Sequence, residues 1–354
     1  MPKKPKTHQA ATAVMLGSSI KNLNDIRAAK REWAKRLLKR PSVPAFRNLT
    51  TAITPNPEWN LVGVGIGEKI SDGSRTGTMA VKFLVRAKFP EKHISKNHRL
   101  PKSINGLPVD IDEVGLFHSF IRPAKAAAAV QVNPRTRIRP AQPGCSIGFA
   151  DPEGKFKMAG TFGALVRNAA GTFILSNNHV LADESQLATG SPIFQPGLLD
   201  GGDENKDVIA KLTQFVPFQT ASFNQVDCAI AQVSTPADVS NSILQIGPPQ
   251  GVAPAQLDMT VEKFGRTTGY TAGQVTSIDT DVTVGYETGN FSFGGQIIIV
   301  GLDGALFSDA GDSGSLIVER SSKQAVGLLF AGSPTHTIAN HIGDVLTALS
   351  VTLV

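Results

Sequence analysis

The chain has 354 residues, 41% of them hydrophobic and 18% charged, which supports sizeable packed cores in two or three domains and excludes a disordered chain. Its net charge of +6 is unevenly spread: residues 1–40 carry 11 Lys/Arg against two acids, residues 41–140 carry 15 against seven, and residues 141–354 carry nine against 20. A basic N-terminal portion is thus joined to an acidic C-terminal one, so the two either attract each other or face different partners.

No run of 18 apolar residues occurs and no signal peptide is visible, so a soluble, cytoplasmic protein is expected. Two cysteines, Cys145 and Cys228, allow one disulfide but no disulfide framework. Short apolar runs among 34 Gly and 22 Pro lean towards many short strands and turns.

Residues 1–50 read as a basic arm. Within it, from Ser18 or Ser19 to about Leu38, residues Ile20, Leu23, Ile26, Trp33, Leu37 and Leu38 follow helical spacing. Such a helix packs on the body of the protein with a solvated basic face, or contacts nucleic acid or membrane through residues 1–40. Residues 51–125 read as a small α/β module. Its strand-like runs LVGVGIGEKI and GTMAVKFLVRAK are joined by the turn SDGSRTG, with LPVDIDEVGL beyond. His93, His98 and His118 lack zinc-ligand spacing and read as surface residues, and no metal or cofactor motif is present. Residues 126–144 read as a linker, low-complexity and then Pro- and Arg-rich. From Cys145 onward, in residues 145–354, short strands and turns alternate; Ile338 to Leu349 reads as a terminal helix.

The chemistry centres on Gly311-Asp312-Ser313-Gly314-Ser315. A serine hydroxyl becomes a nucleophile at neutral pH only when a base takes its proton and an acid fixes the base's tautomer. His179, at the end of the strand-like Phe173-Ile174-Leu175 and beside apolar Val180-Leu181-Ala182, is placed to be that base. Asp227, between Val226 and Cys228-Ala229-Ile230, enters a buried strand and needs a hydrogen-bonding partner there. Asp200, Asp203, Asp207, Asp238, Asp279 and Asp281 read as solvated surface acids. The α/β-hydrolase signature Gly-x-Ser-x-Gly fails because position 315 is Ser, and that fold's order of acid then histidine after the serine is not met.

GDSGS, with SNNHVLA upstream, VDCAIA between and the order His179, Asp227, Ser313, resembles a trypsin-like (chymotrypsin-fold) serine peptidase. KFGRTTGYTAGQVTSI is similar to the Gly-x-Thr-Thr-Gly segment of bacterial peptidases of the α-lytic type. RPAQPGCSIG, LSNNHVLA, FQPGLLDGG and GRTTGYTAG resemble bacterial relatives of the plant narrow-leaf proteins. The resemblance covers about residues 55–354. It implies a mainly β chain with a double antiparallel β-barrel, preceded by the α/β module and the basic helix. His179 and Asp227 would come from the first barrel and Ser313 from the second, with Gly311 and Ser313 N–H groups as the oxyanion hole. Phe307, six residues before the serine, stands where trypsin carries a pocket-floor acid. Phe330, Ala331 and Gly332 would line the pocket, so a small or apolar P1 residue is expected; Asp309 is the one acid close enough to draw a basic side chain.

In trypsin-like zymogens the residue matching Asp312 pairs with an α-amino group made by cleavage. No trypsin-like N-terminal motif is visible near residues 131–150, so the resemblance implies Lys263, or else Arg266, as the partner of Asp312. The expected activity is that of a serine endopeptidase acting on protein or peptide through an acyl-enzyme, without a cofactor, latent until cleavage or an activating partner releases it. The other reading is a silent trypsin-fold scaffold whose basic N-terminal part binds nucleic acid or membrane.

Overall fold

The computed structural model describes residues 23–38, 53–71, 74–119 and 132–354. The expected helix start at residues 18–22 and the first part of the expected linker, residues 126–131, lie outside them. Helix α1 spans Leu23–Leu37 and α2 is a single turn, Pro57–Asn60. Strands β1 (Leu61–Ser71), β2 (Ser74–Val85), β3 (Ser103–Ile104) and β4 (Leu107–Glu113) follow.

The chain from Cys145 onward builds one barrel from β5 (Ser146–Phe149), β6 (Gly160–Thr161), β7 (Ala164–Asn168), β8 (Gly171–Ser176), β9 (Pro192–Phe194), β10 (Val208–Phe215) and β11 (Ala229–Val233). The order β7-β8-β11-β10-β9-β5-β6 closes because β6 and β7 are one bent strand. Phe162 N–H donates to Cys145 O, and the next residue, Gly163, donates to Leu175 O, both at 2.9 Å. The bend hands the strand from β5 to β8 and so closes the ring there. Six strands build the second barrel: β12 (Thr260–Gly265), β13 (Gly269–Gly285), β14 (Asn290–Gly301), β15 (Leu316–Glu319), β16 (Ala325–Gly332) and β17 (Thr337–His341). They run β12-β15-β16-β17-β14-β13, and β13 pairs back with β12 to close the ring. The chain is therefore mainly β, a double antiparallel barrel. A one-turn helix α3 (Asn178–Leu181), a C-terminal helix α4 (Ile342–Leu349) and a short β18 (Thr352–Leu353) on the β7 edge complete it.

The N-terminal strands extend the second barrel's sheet. β13 runs past the barrel and pairs with β1, which pairs with β2, then β4 and β3. The alternation Gly63, Gly65, Gly67 has its cause here. A Cβ on Gly65 would lie 2.8 Å from Ser277 Oγ, and one on Gly67 would lie 2.6 Å from Thr276 O, so only glycine lets β1 approach β13 this closely. Helix α1 lays Ile26, Ala29 and Ala34 on Val64, Ile66, Val81 and Phe83 of β1 and β2, with Trp33 edge-on to Phe83 at 5.7 Å. Its charge is used as well: the buried Lys30 ammonium pairs with Asp281 at 2.6 Å and Asp279 at 3.0 Å.

Four readings need correction. Ile338 to His341 is strand, not helix, because these residues pair with both β14 and β16; the helix starts at Ile342. Asp279 and Asp281 hold α1 rather than facing solvent. Asp200 and Asp207 are likewise tied, to Arg266 and Arg137. His118 is half-buried, and its backbone is bonded on both sides. Cys145 and Cys228 are buried and unpaired with each other; burial pushes the Cys145 thiol up to about 12.

Candidate active site

Strand β8 delivers His179 and β11 delivers Asp227. β8 ends at Ser176 and α3 begins two residues later. Asn177, in the cap position, makes no side-chain cap bond. Asp227 caps instead: its Oδ1 accepts from Asn178 N–H at 2.7 Å and from His179 N–H at 3.3 Å, satisfying donors that a helix start leaves open. Its Oδ2 lies 2.6 Å from His179 Nδ1, which fixes the ring with Nε2 turned away from the acid. Tyr286 OH donates to the same Oδ2 at 2.8 Å. Asn340 Oδ1 accepts from Asp227 N–H at 2.9 Å, and the Asn340 amide donates to Gln296 at 2.7 Å. A carboxylate with no solvent exposure thus has its charge met by four donors.

Ser313 lies in the loop before β15, held from both barrels. Thr161 of β6 donates its N–H to Ser313 O and its Oγ1 to Gly311 O, both at 2.9 Å. Gly311 and Gly314 have φ of +93° and +91°; a Cβ on Gly314 would strike Ser176 Oγ and Thr161 O. Among the described residues no group accepts from Gly311 N–H or Ser313 N–H. Two adjacent idle donors beside a hydroxyl are what an oxyanion requires. Ser313 Oγ is 3.5 Å from Phe330 O, and His179 Nε2 is buried with no hydrogen-bond partner. The bond between serine and histidine is not formed in this state.

Asp312 is fully buried and points the other way. Its Oδ1 accepts from Thr267 N–H (2.8 Å) and Thr268 N–H (3.1 Å). Its Oδ2 accepts from Thr268 Oγ1 (2.6 Å), Asp309 N–H (3.0 Å) and Lys263 Nζ (3.2 Å). Lys263 is therefore the cation on Asp312. Burial pulls its ammonium below the ordinary lysine value, against the opposing pull of Asp312. Arg266 is engaged elsewhere, by a two-pronged pair with Asp200 at 2.7 and 2.5 Å.

The four residues expected at the pocket fall into two clusters. Phe307 packs with Val261, Val275 and Ile299 inside the second barrel. Phe330 and Ala331 pack with Phe117, Tyr286 and Phe293, and Gly332 is backbone-paired with His118. Sequence reasoning missed Tyr286, Asn340 and Thr161. Tyr286 follows directly on β13 with no motif around it, 59 residues from its acid, and only folding brings the two together.

No family model matches the chain, and no curated protein matches it. Solved structures do. Protease A of Thermobifida fusca is 19% identical with a TM-score of 0.43, covering 60% of this chain and 97% of its own. A Nocardiopsis protease is 16% identical with a TM-score of 0.43, covering 60% and 99%. The α-lytic protease homologue N4 is 18% identical with a TM-score of 0.43, covering 62% and 100%. Values this low leave the assignment to the strand pairing and the meeting of the two barrels at Thr161 and Ser313. The fold is chymotrypsin-like. The kinship with bacterial relatives of the narrow-leaf proteins draws no support from these comparisons.

Proposed function

We propose that this chain is a serine endopeptidase with His179 as general base, Asp227 as its orienting acid and Ser313 as nucleophile. The observation that carries the reading is the buried Asp227–His179 pair, with His179 Nε2 unbonded, together with a serine whose own N–H and that of Gly311 are idle among the described residues. Ser313 Oγ attacks the scissile carbonyl while its proton passes to His179 Nε2. The oxyanion is received by Gly311 and Ser313 N–H, each such donor contributing about 2.7–4 kcal/mol to the transition state. The C–N bond then breaks as His179 returns the proton to the amine. Water, deprotonated by the same imidazole, releases the acyl group and restores the serine. Because Lys263 already engages Asp312, this reading needs no new α-amine to order the loop. With Phe307 where trypsin has an acid, small or apolar P1 residues are favoured over Arg and Lys. Asp309 is occupied in its own turn, its Oδ1 accepting from Ala310 N–H at 2.7 Å.

One observation favours the silent-scaffold reading: Ser313 Oγ faces Phe330 O rather than His179. Resting sites often show this bond unformed. A fluorophosphonate probe separates the two. Labelling of the wild type that is lost in both Ser313→Ala and His179→Ala supports the peptidase, whereas no labelling under any condition favours the scaffold.

A further inference from the structure

The segment after β4 does not turn back to the N-terminal sheet. Val114 N–H still donates to Val85 O at 2.9 Å, and Gly115 then turns with φ +76°. The next residues enter the gap between the ends of β13 and β16. His118 N–H donates to Gly332 O at 3.0 Å, and Gly332 N–H returns a bond to His118 O at 3.1 Å. On the opposite side, Gly285 N–H donates to Phe117 O at 3.0 Å and Ser119 N–H to Gly285 O at 3.1 Å. The segment is an added strand with four backbone bonds, antiparallel to β16 and parallel to β13. Phe117 is buried among Tyr286, Phe291, Phe293 and Phe330.

The position of that strand relative to Ser313 gives it meaning. Phe330, whose carbonyl faces Ser313 Oγ at 3.5 Å, is two residues from Gly332 on the same strand. At about 3.3 Å per residue the His118–Gly332 pair sits about 7 Å along β16 from Phe330, the residue whose carbonyl the nucleophile's hydroxyl faces. Because the pairing is antiparallel, Ser119 lies on the Ser313 side of it. An extended peptide offered to this serine uses strand addition at a free edge, and the free edge here is the one that residues 116–119 already fill.

We propose that residues Leu116–Ser119 occupy the acyl-side peptide cleft as an intramolecular ligand, so that the chain's N-terminal portion holds its own nucleophile latent. The inference rests on the peptidase reading above and names what blocks the site. A tethered strand competes at an effective concentration in the millimolar range, well above that of a dilute peptide substrate. The ligand class that displaces it is an extended peptide with a large apolar residue where Phe117 sits.

The test compares labelling rates with a fluorophosphonate in the full-length protein. His118→Pro/Ser119→Pro removes two of the four backbone donors and leaves the triad untouched. This variant should label at least tenfold faster than wild type, and a synthetic peptide of residues 115–119 should slow it again, competitively. Adding Ser313→Ala to the variant should abolish labelling. If circular dichroism shows the double variant unfolded, Ser119→Pro alone is measured, with at least a threefold gain expected. Wild type and folded variant labelling at the same rate would overturn self-occupancy while leaving the peptidase reading intact. No labelling of any protein would sink the peptidase reading and this inference with it.

Discussion

Lys263→Met tests the internal ion pair most directly. Methionine is close to the lysine stem in volume, so the substitution removes the ammonium without opening a large cavity. The ammonium and the Asp312 carboxylate have no solvent exposure. Breaking a buried pair by removing one partner costs about 3–5 kcal/mol. Asp312 keeps four other donors, from Thr267 N–H, Thr268 N–H, Thr268 Oγ1 and Asp309 N–H, so the loss should fall near the lower bound, about 3 kcal/mol. Asp312→Leu should cost more, because it strands four donors and leaves the ammonium's charge unpaired with only Thr268 Oγ1 and Gly269 O as acceptors. Urea unfolding followed by circular dichroism gives both numbers. The same preparations, below their transitions, should label more slowly at Ser313, since Asp312 anchors the loop through Asp309. A Lys263→Met loss below about 1 kcal/mol, or Asp312→Leu milder than Lys263→Met, would show that the pair does not hold the loop.

Tyr286→Phe removes one of four donors to Asp227; a hydrogen bond to a charged group contributes about 1.5–3 kcal/mol to stability, so urea unfolding should show a loss in that range with a fall in peptide turnover beside it, and unchanged turnover would show that the hydroxyl does not position the acid. Gly314→Ala combines a left-handed backbone, costing about 1–3 kcal/mol, with overpacking against Ser176 and Thr161 of about 1–3 more; thermal melts should show a loss of about 2–6 kcal/mol, and a near-neutral melt would contradict the loop's conformation. Burial holds His118 and His336 down at about 4, with Arg86 adding to the effect at His118 and Asp112 opposing it at His336. Folded values below the ordinary 6.5 mean that the unfolded chain binds more protons between pH 6.5 and 4, so stability should fall as pH drops through that window. Asp183, raised to about 6 by burial and Glu184, works in the opposite direction but is a single group. Unfolding midpoints measured across the window should flatten in His118→Gln/His336→Gln; an equally steep double variant would refute the assignment.

The sequence alone determined the order His179, Asp227, Ser313, the turn glycines around the serine and the strand-rich C-terminal portion. Each rests on local chemistry: a residue type in a short context, a backbone angle that only glycine takes easily, or a two-residue alternation. It also pointed to Lys263, through a segment only a few residues long. Tertiary structure alone decided which surface-like acids are engaged. Asp200, Asp207, Asp279 and Asp281 look solvated in their own segments, and their partners are 66, 70 and about 250 residues away. It likewise decided that Ile338–His341 is strand, because pairing on both sides outweighs a pattern that also suits a helix. Tyr286 joins Asp227 through a side-chain hydrogen bond across 59 positions of chain, and His118 reaches Gly332 through strand pairing across more than 200. No local pattern encodes such contacts, because backbone N–H and C=O groups are the same at every residue and only folding selects which edges meet.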